Sequence, residues 1–347
     1  MLNRLFNAFG KELGIDLGTA NTLIYTKNRG IIINEPSIVA VNTKTEQILA
    51  VGNQAKDMLG KTPPHIQTTR PLTNGIISDF EIAEKMLRYF VEKVYEGSSI
   101  SFLSRPTVVI GAPVDITEVE RKAIADAVIS AGARQVHIVE ECMAAAIGSR
   151  LPATEPVGNF IVEIGGGTTE IAVISLGGIA TKKSIKIAGD ELNRNIIQYA
   201  RDVFKLLVGE RQAEEIKIKI GSAVELPEPM EFPMRGRDLV TGLPREIMIT
   251  DGEVREAMIK SLRTIVENIK ATLEITPPEL TVDIHERGIL LSGGGALLRG
   301  IDQLIYKALS IPVRIADDPL TSVVRGTGLL LDNPELLREV AVWSTKS

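Results

Sequence analysis

The sequence predicts an α/β protein built from two duplicated domains, and three features carry that prediction. The first is the stretch Val162-Glu163-Ile164-Gly165-Gly166-Gly167-Thr168-Thr169-Glu170, a glycine turn between the apolar runs 159–164 and 171–175. Both flanks read as buried strands. The second is a similar turn at Asp16-Leu17-Gly18-Thr19-Ala20-Asn21-Thr22, again between apolar strands. In each, an acid ends a strand and glycine and threonine follow; Asp16 and Glu163 stand 147 positions apart in 347 residues. Bare glycine backbone beside hydroxyls lets an anion approach closely, so the pair reads as an internal duplication with two phosphate loops. The third is Ser292-Gly293-Gly294-Gly295-Ala296, where an apolar strand runs into glycines and then a helix expected over 297–309. Helix N–H groups and close backbone approach at such a junction suit a nucleotide.

Composition sets the bounds. The length allows two domains with buried cores, and 44% hydrophobic with 24% charged residues fits a globular protein. A net charge of −5 argues against nucleic acid as a partner. One cysteine, Cys142, excludes an internal disulfide and suits a reducing cytoplasm. Neither an 18-residue apolar run nor a signal-peptide core is present, so no membrane span is expected.

Taken in order, the chain opens with a helical pattern in which Leu2, Leu5, Phe6, Phe9 and Leu13 share one face. That face either packs on its own domain or lies in a membrane interface. Short apolar segments at 31–33 and 38–41 among turn residues suggest a small inserted subdomain. Gly60-Lys61-Thr62 is not a P-loop, because position 55 is alanine. A helix is expected over 79–96, with Phe80, Ala83, Met86, Leu87, Phe90, Val91 and Val94 on one face. The polar loop after it carries Phe102 and Leu103, which either pack on the domain or await a partner. A strand over 107–110 follows, then a helix opened by Thr117 and Glu120 and ending near Gly132. The strand 136–139 leads into Glu140-Glu141-Cys142-Met143, where acids complement a helix N-terminus or serve as a base.

Beyond the second hairpin, a strand is expected over 179–187 and a helix to about Lys205 with Asp190 as N-cap. Another helix spans 209–222, where Glu214 and Lys217 sit one turn apart, as in a surface ion pair. Residues 223–249 are rich in Pro and Gly and read as a second insert. Thr250 and Glu253 open a long helix that stops before Pro277-Pro278, and a last helix begins near Asp318. His65, His137 and His285 lack metal-ligand spacing, and no G-x-S-x-G elbow occurs.

Two acid-bearing hairpins, a glutamate-bearing helix between them and a late glycine junction resemble the actin, sugar-kinase and heat-shock ATPase superfamily. GIDLGTANTLIY, TEVERKAIADAVISAGAR, GGGTTEIAVISLGGI and SGGGALLRG resemble the MreB family of bacterial actins in particular, over essentially the whole chain. The resemblance implies an actin-like fold, a duplicated ribonuclease H-like architecture whose two domains each carry a smaller insert, with ATP or ADP and Mg2+ in the interdomain cleft. It divides the chain into a membrane-binding helix (1–13), subdomain IA (14–32, 68–150, 320–347), IB (33–67), IIA (151–181, 250–319) and IIB (182–249).

Position by position, it implies Asp16 and Glu163 near magnesium through water, and Gly18, Thr19, Ala20 and Asn21 as the first phosphate loop. Gly165, Gly166, Gly167 and Thr168 form the second, with Glu214, Lys217, Gly293, Gly294 and Gly295 around the adenosine. Glu141, helped by Thr168, positions the attacking water; Leu2, Leu5, Phe6, Phe9, Phe102 and Leu103 insert into lipid. The implied partners are other copies of the chain in paired protofilaments, the inner face of the cytoplasmic membrane, and the cell-wall elongation machinery with its membrane adaptors. The implied activity is slow ATP hydrolysis coupled to filament dynamics in rod-shape maintenance. Two positions depart from the family: Glu163 replaces its aspartate, and Cys142 replaces the proline after the catalytic glutamate, a change expected to loosen that helix start. The alternative is a small-molecule kinase of the same superfamily, for which no extra substrate motif appears. A chaperone ATPase would need a peptide-binding domain after Leu331, where sixteen residues follow.

Overall fold

The computed structural model describes residues 12–27, 29–95 and 105–345. The predicted N-terminal helix with Leu2, Leu5, Phe6 and Phe9, and the Phe102–Leu103 pair, lie outside the described residues. The chain folds as two compact units, Met1–Val157 with Ile174–Ala180 and Leu320–Ser347, and Gly158–Val173 with Thr181–Pro319.

The first unit is built from β1 (Glu12–Leu17), β2 (Asn21–Thr26), β3 (Gly30–Pro36), β4 (Val39–Asn42), β5 (Ile48–Val51), α1 (Asn53–Met58), β6 (Ile66–Thr69), β7 (Leu72–Thr73), β8 (Ile76–Ile77), α2 (Phe80–Tyr95), β9 (Thr107–Ala112), α3 (Glu118–Ser130), β10 (Gln135–Glu140) and α4 (Glu141–Gly148). The second follows with β11 (Asn159–Ile164), β12 (Thr169–Ser175), β13 (Gly178–Ile185), α5 (Gly189–Phe204), β14 (Leu206–Leu207), α6 (Glu210–Ile220), β15 (Glu231–Asp238), β16 (Pro244–Thr250), α7 (Asp251–Glu274), α8 (Pro278–Arg287), β17 (Ile289–Ser292), α9 (Ile301–Leu309) and β18 (Val313–Ile315). The chain ends with α10 (Ser322–Asp332), α11 (Pro334–Val340) and β19 (Trp343–Ser344), all in the first unit.

Duplication is visible in strand order. The first sheet runs β19-β10-β9-β1-β2-β3, the second β18-β17-β11-β12-β13. Setting β19 aside, β1, β2, β3, β9 and β10 correspond in order to β11, β12, β13, β17 and β18. In both, the hairpin's first strand pairs in parallel with a later strand (β1 with β9, β11 with β17), which pairs in parallel with the next. Parallel strands must bury both faces, and β9 and β11 accordingly carry near-continuous apolar runs with almost every residue buried. Each unit has its own core, one around Ile15, Phe90 and Ile110, the other around Phe160, Val173 and Ile265.

Helix α2 buries Ala83, Met86, Leu87, Phe90, Val91 and Val94 on the expected face, but Phe80 at its start is exposed. Ile31–Ile33 belongs to β3 at the edge of the large sheet rather than to the small insert, whose sheet is β5-β4-β6. Helix α8, directly after Pro277, was not anticipated: proline fits the first helical turn as well as it stops the preceding one. Asp190 lies inside the first turn of α5, and Ala188 takes the N-cap position.

Helices α3 and α7 begin as their sequences dictate. Thr117 and Glu120, and Thr250 and Glu253, form reciprocal capping boxes in which each side chain meets the other residue's backbone N–H. Thr117→Ala and Thr250→Ala should therefore each cost about 1 kcal/mol of stability. Because the two lie in different units, each loss should appear undiminished in the double variant. Urea denaturation of the three proteins measures this; a double variant no weaker than either single would overturn it.

Candidate functional site

The two hairpins are built alike. In the first, Gly18 N donates to Asn21 O at 3.1 Å; in the second, Gly165 N donates to Thr168 O at 2.9 Å. In the first, a Cβ added at Gly18 would lie 2.8 Å from Asn21 O and 3.8 Å from Asp16 Oδ1. In the second, one at Gly165 would lie 3.2 Å from Thr168 O and 3.4 Å from Glu163 Oε2. The first turn is thus too tight for a side chain and the second leaves little room for one, and each acid lies alongside its own glycine. Both carboxylates lie close to the first glycine of their own turn.

In both hairpins the carbonyls are engaged from behind. Ser37 Oγ donates to Gly18 O at 2.6 Å and Ser37 N to Ala20 O at 3.0 Å, while Ser37 Oγ also meets Thr22 Oγ1 at 2.9 Å. In the second hairpin the first turn of α5 does this work: Gly189 N donates to Gly165 O at 3.1 Å and Asp190 N to Gly166 O at 2.8 Å. With carbonyls held this way, the amides are the backbone groups placed to meet an anion. Gly75 N donates to Thr19 Oγ1 at 2.8 Å, fixing that buried hydroxyl as an acceptor from one side and leaving its proton to donate. Ser37 and Gly75 are functional supports that sequence reasoning missed. Asn74-Gly75 between Leu72-Thr73 and Ile76-Ile77 is a two-residue hairpin signal that would have found the second.

The acids of the first unit gather where its parallel strands end. Ile15 pairs with Ile110 and Val139 with Gly111, so Asp16, one residue before the end of β1, lies beside the end of β9, and α4 begins directly after β10. Glu141, the first residue of α4, is buried, and its Cγ would lie 3.3 Å from a Cβ at Gly111. A Cβ at Gly111 would also lie 2.9 Å from Val323 Cγ1, so the missing side chain makes room for both Glu141 and Val323. The C-terminal ends of parallel strands are where α/β sheets bind ligands. Burial pushes the Asp16 carboxyl up to about 7, so it is costly to ionise without a cation nearby. Cys142 is wholly buried, and α4 starts at Glu141 with cysteine as its second residue.

In the second unit, Glu163 pairs with Ser292, which sets the glycine junction directly beside the acid. Gly293 adopts φ +79°, and a Cβ there would overlap Glu163 Oε1 and Ile164 O. One at Gly295 would overlap Ile164 Cγ2. The α-helix expected from Leu297 starts only at Ile301; Gly294–Leu297 is a 3-10 turn. The glycines therefore serve close packing against the second hairpin and do not present an α-helix N-terminus to an anion. Lys217 Nζ donates to Gly189 O at 2.8 Å, so α6 is tied to the helix that backs the hairpin, and Glu214 lies one turn earlier on the same helix. The first unit thus brings together Asp16, Gly18–Asn21 and Glu141, and the second Glu163, Gly165–Thr168, Lys217 and Gly293–Gly295.

Comparison with known proteins bears on what this arrangement is. The family model described as MreB/Mbl protein matches residues 10–339. The chain belongs to the MreB/Mbl family. It is 47% identical to the cell shape-determining protein Mbl of Bacillus cereus over 96% of this chain and 99% of that one. It is equally 47% identical to the cell shape-determining protein MreB of Escherichia coli, over 96% of each. Among solved structures, MreB5 of Spiroplasma citri bound to ADP superposes with a TM-score of 0.89 at 36% identity, covering 94% of this chain and 97% of that one. The double helical filament of MamK, at 21% identity and a TM-score of 0.79, shares the fold. The fold is actin-like, and membership in the MreB/Mbl family makes the chain an actin-like cytoskeletal protein; the small-molecule kinase alternative is not favoured.

Proposed function

We propose that this MreB/Mbl chain binds ATP and ADP with Mg2+, polymerises into paired protofilaments on the inner face of the cytoplasmic membrane, and hydrolyses ATP slowly as it guides cell-wall synthesis. The observation that carries the nucleotide reading is the pair of matched hairpins, each with its carbonyls engaged behind it and a carboxylate alongside. The Spiroplasma relative, solved with ADP and with AMPPNP, supports it. The four-subdomain division, with inserts at 33–67 and 182–249, goes with this reading.

The residues fit a hydrated magnesium ion. Among the described residues no cluster of three or more His, Cys, Asp or Glu is arranged to hold a metal by itself. Magnesium is commonly bound by one or two carboxylates, waters and substrate phosphates, which suits Asp16 and Glu163 in that role. When bound, the ion neutralises charge on the phosphates. With the Gly18 and Gly165 amides closing the turns, the amides of Thr19–Asn21 and Gly166–Thr168 hold the phosphoryl oxygens, and Thr19 and Thr168 add hydroxyl donors. Glu141 accepts a hydrogen bond from the attacking water and orients it for in-line displacement. Glu214, Lys217 and Gly293–Gly295 flank the adenosine. Among the described residues no helix is long and apolar enough to cross a membrane; the apolar side chains Leu2, Leu5, Phe6 and Phe9 and the pair Phe102–Leu103 are the attachment points in this reading. Many weak anchors on one polymer then bind firmly.

Sedimentation and electron microscopy with ATP and liposomes test the reading: ATP-dependent filaments on lipid are expected, and a monomer under every condition overturns it. Glu163→Asp tests the unusual acid. Shortening the side chain by one methylene moves the carboxylate about 1 Å, a displacement worth up to about 10²-fold in rate. Phosphate release by the variant should rise toward that limit with ATP affinity unchanged. An unchanged rate would mean that the longer acid does not limit turnover.

A further inference from the structure

Helix α6, which carries Glu214 and Lys217, buries Ala213, Ile216 and Ile220 in the core of its unit and is also hydrogen-bonded to neighbouring segments. Lys217 makes the first attachment, to Gly189 O behind the second hairpin. The second lies at its C-terminal end, where Arg299 meets it twice. Arg299 Nη1 donates to Ile218 O at 3.2 Å and to Gly221 O at 3.4 Å, taking up carbonyls that a helix end leaves without intrahelical partners. Arg299 O in turn accepts from Ala223 N at 2.7 Å, and Ser222 and Arg299 form a parallel bridge. Beside them Gly300, at φ +71°, packs so closely on Val224 that a Cβ would overlap Val224 Cγ2. A Cβ at Gly221 would lie 3.1 Å from Leu298 Cδ1. Arg255 Nη1 steadies the same segment through Val224 O at 3.1 Å. Arg299 follows the Gly293–Gly295 junction by four residues, separated from it only by the 3-10 turn and Leu298.

We propose that Arg299 is a positioning residue whose guanidinium and carbonyl join the end of α6 to the segment after the glycine junction, setting the spacing between the two elements that flank the nucleoside. The inference rests on the nucleotide-binding reading above. The hairpins have their own supports in Ser37 and α5, so the joint governs the nucleoside end and leaves the phosphate end alone.

The test is nucleotide affinity and turnover in full-length Arg299→Ala, Arg299→Lys and Gly300→Ala proteins. Losing charged hydrogen bonds to two carbonyls should weaken ATP and ADP binding equally, by about tenfold, in Arg299→Ala. Phosphate release at saturating ATP and the melting temperature without nucleotide should stay at wild-type values. Arg299→Lys should recover part of the affinity, since an ammonium can still reach one carbonyl. Gly300→Ala, which spreads the joint without touching a charge, should weaken both nucleotides as well. Unchanged affinity in Arg299→Ala overturns the proposal, as does a loss of turnover that tracks a lower melting temperature. A wild-type protein that binds no ATP would overturn the nucleotide reading itself, and this inference with it.

Discussion

Phosphate release by Glu141→Gln should fall by about 10²–10⁴-fold, the usual worth of a positioned general base, while ATP and ADP bind as before. Glutamine keeps the length and the hydrogen-bonding reach of glutamate, so the packing of this buried side chain over Gly111 is preserved. What it lacks is a carboxylate able to accept a proton from water. The neighbouring Glu140 does not substitute: it takes the N-cap position, ending the strand rather than beginning the helix. If filament assembly needs ATP binding and disassembly needs hydrolysis, the variant should assemble with ATP and then persist, read by light scattering alongside phosphate release. Turnover within threefold of wild type would remove Glu141 from the mechanism, and filaments that disperse at the normal rate would uncouple hydrolysis from disassembly.

The sequence alone revealed those parts of the molecule whose chemistry is local. An acid, a glycine and a threonine between two apolar runs define each hairpin within ten residues, and the structure builds both as expected. The capping boxes at Thr117 and Thr250 are legible for the same reason. What stayed hidden depends on partners far along the chain. Ser37 braces Gly18 from 19 positions away, and Gly75 N reaches Thr19 across 56. Neither residue type advertises such a role. The glycines at 293–295 were legible as a place of close approach, but what approaches is Glu163 and Ile164 of β11, paired through a register set by the whole sheet. Asp190 has the chemistry of an N-cap, yet the amides of Gly189 and Asp190 go to the hairpin carbonyls and the helix starts two residues earlier. Tertiary bonds overrode a local preference there.

The glutamate at 141 is only as well placed as the helix that carries it, and Gly326→Ala should show this with the largest loss of stability. Helices α4 and α10 cross with their backbones in contact. A Cβ at Gly148 would overlap Ser322 O, and one at Gly326 would overlap Ala144 O. All eight residues of α4 are buried, so it has no exposed flank toward which to shift. The obstacle is main chain on both sides, which no change of rotamer relieves, and cores resist expansion. The cost should reach about 3 kcal/mol, the upper part of the usual range for overpacking. Gly209→Ala is the control: a Cβ there meets nothing within 4 Å, and its φ of −82° suits any residue. Thermal and urea denaturation should separate the two clearly, with the first unit of Gly326→Ala unfolding at lower urea and Gly209→Ala, at an N-cap where alanine ranks below glycine, losing at most about 1 kcal/mol. Any Gly326→Ala protein that folds at low temperature should also release phosphate more slowly, because displacing α4 by even a fraction of an ångström moves Glu141 away from its place over Gly111. A variant as stable as wild type would mean that the two helices can separate without cost, and that the small residues at their crossing do not set the position of Glu141.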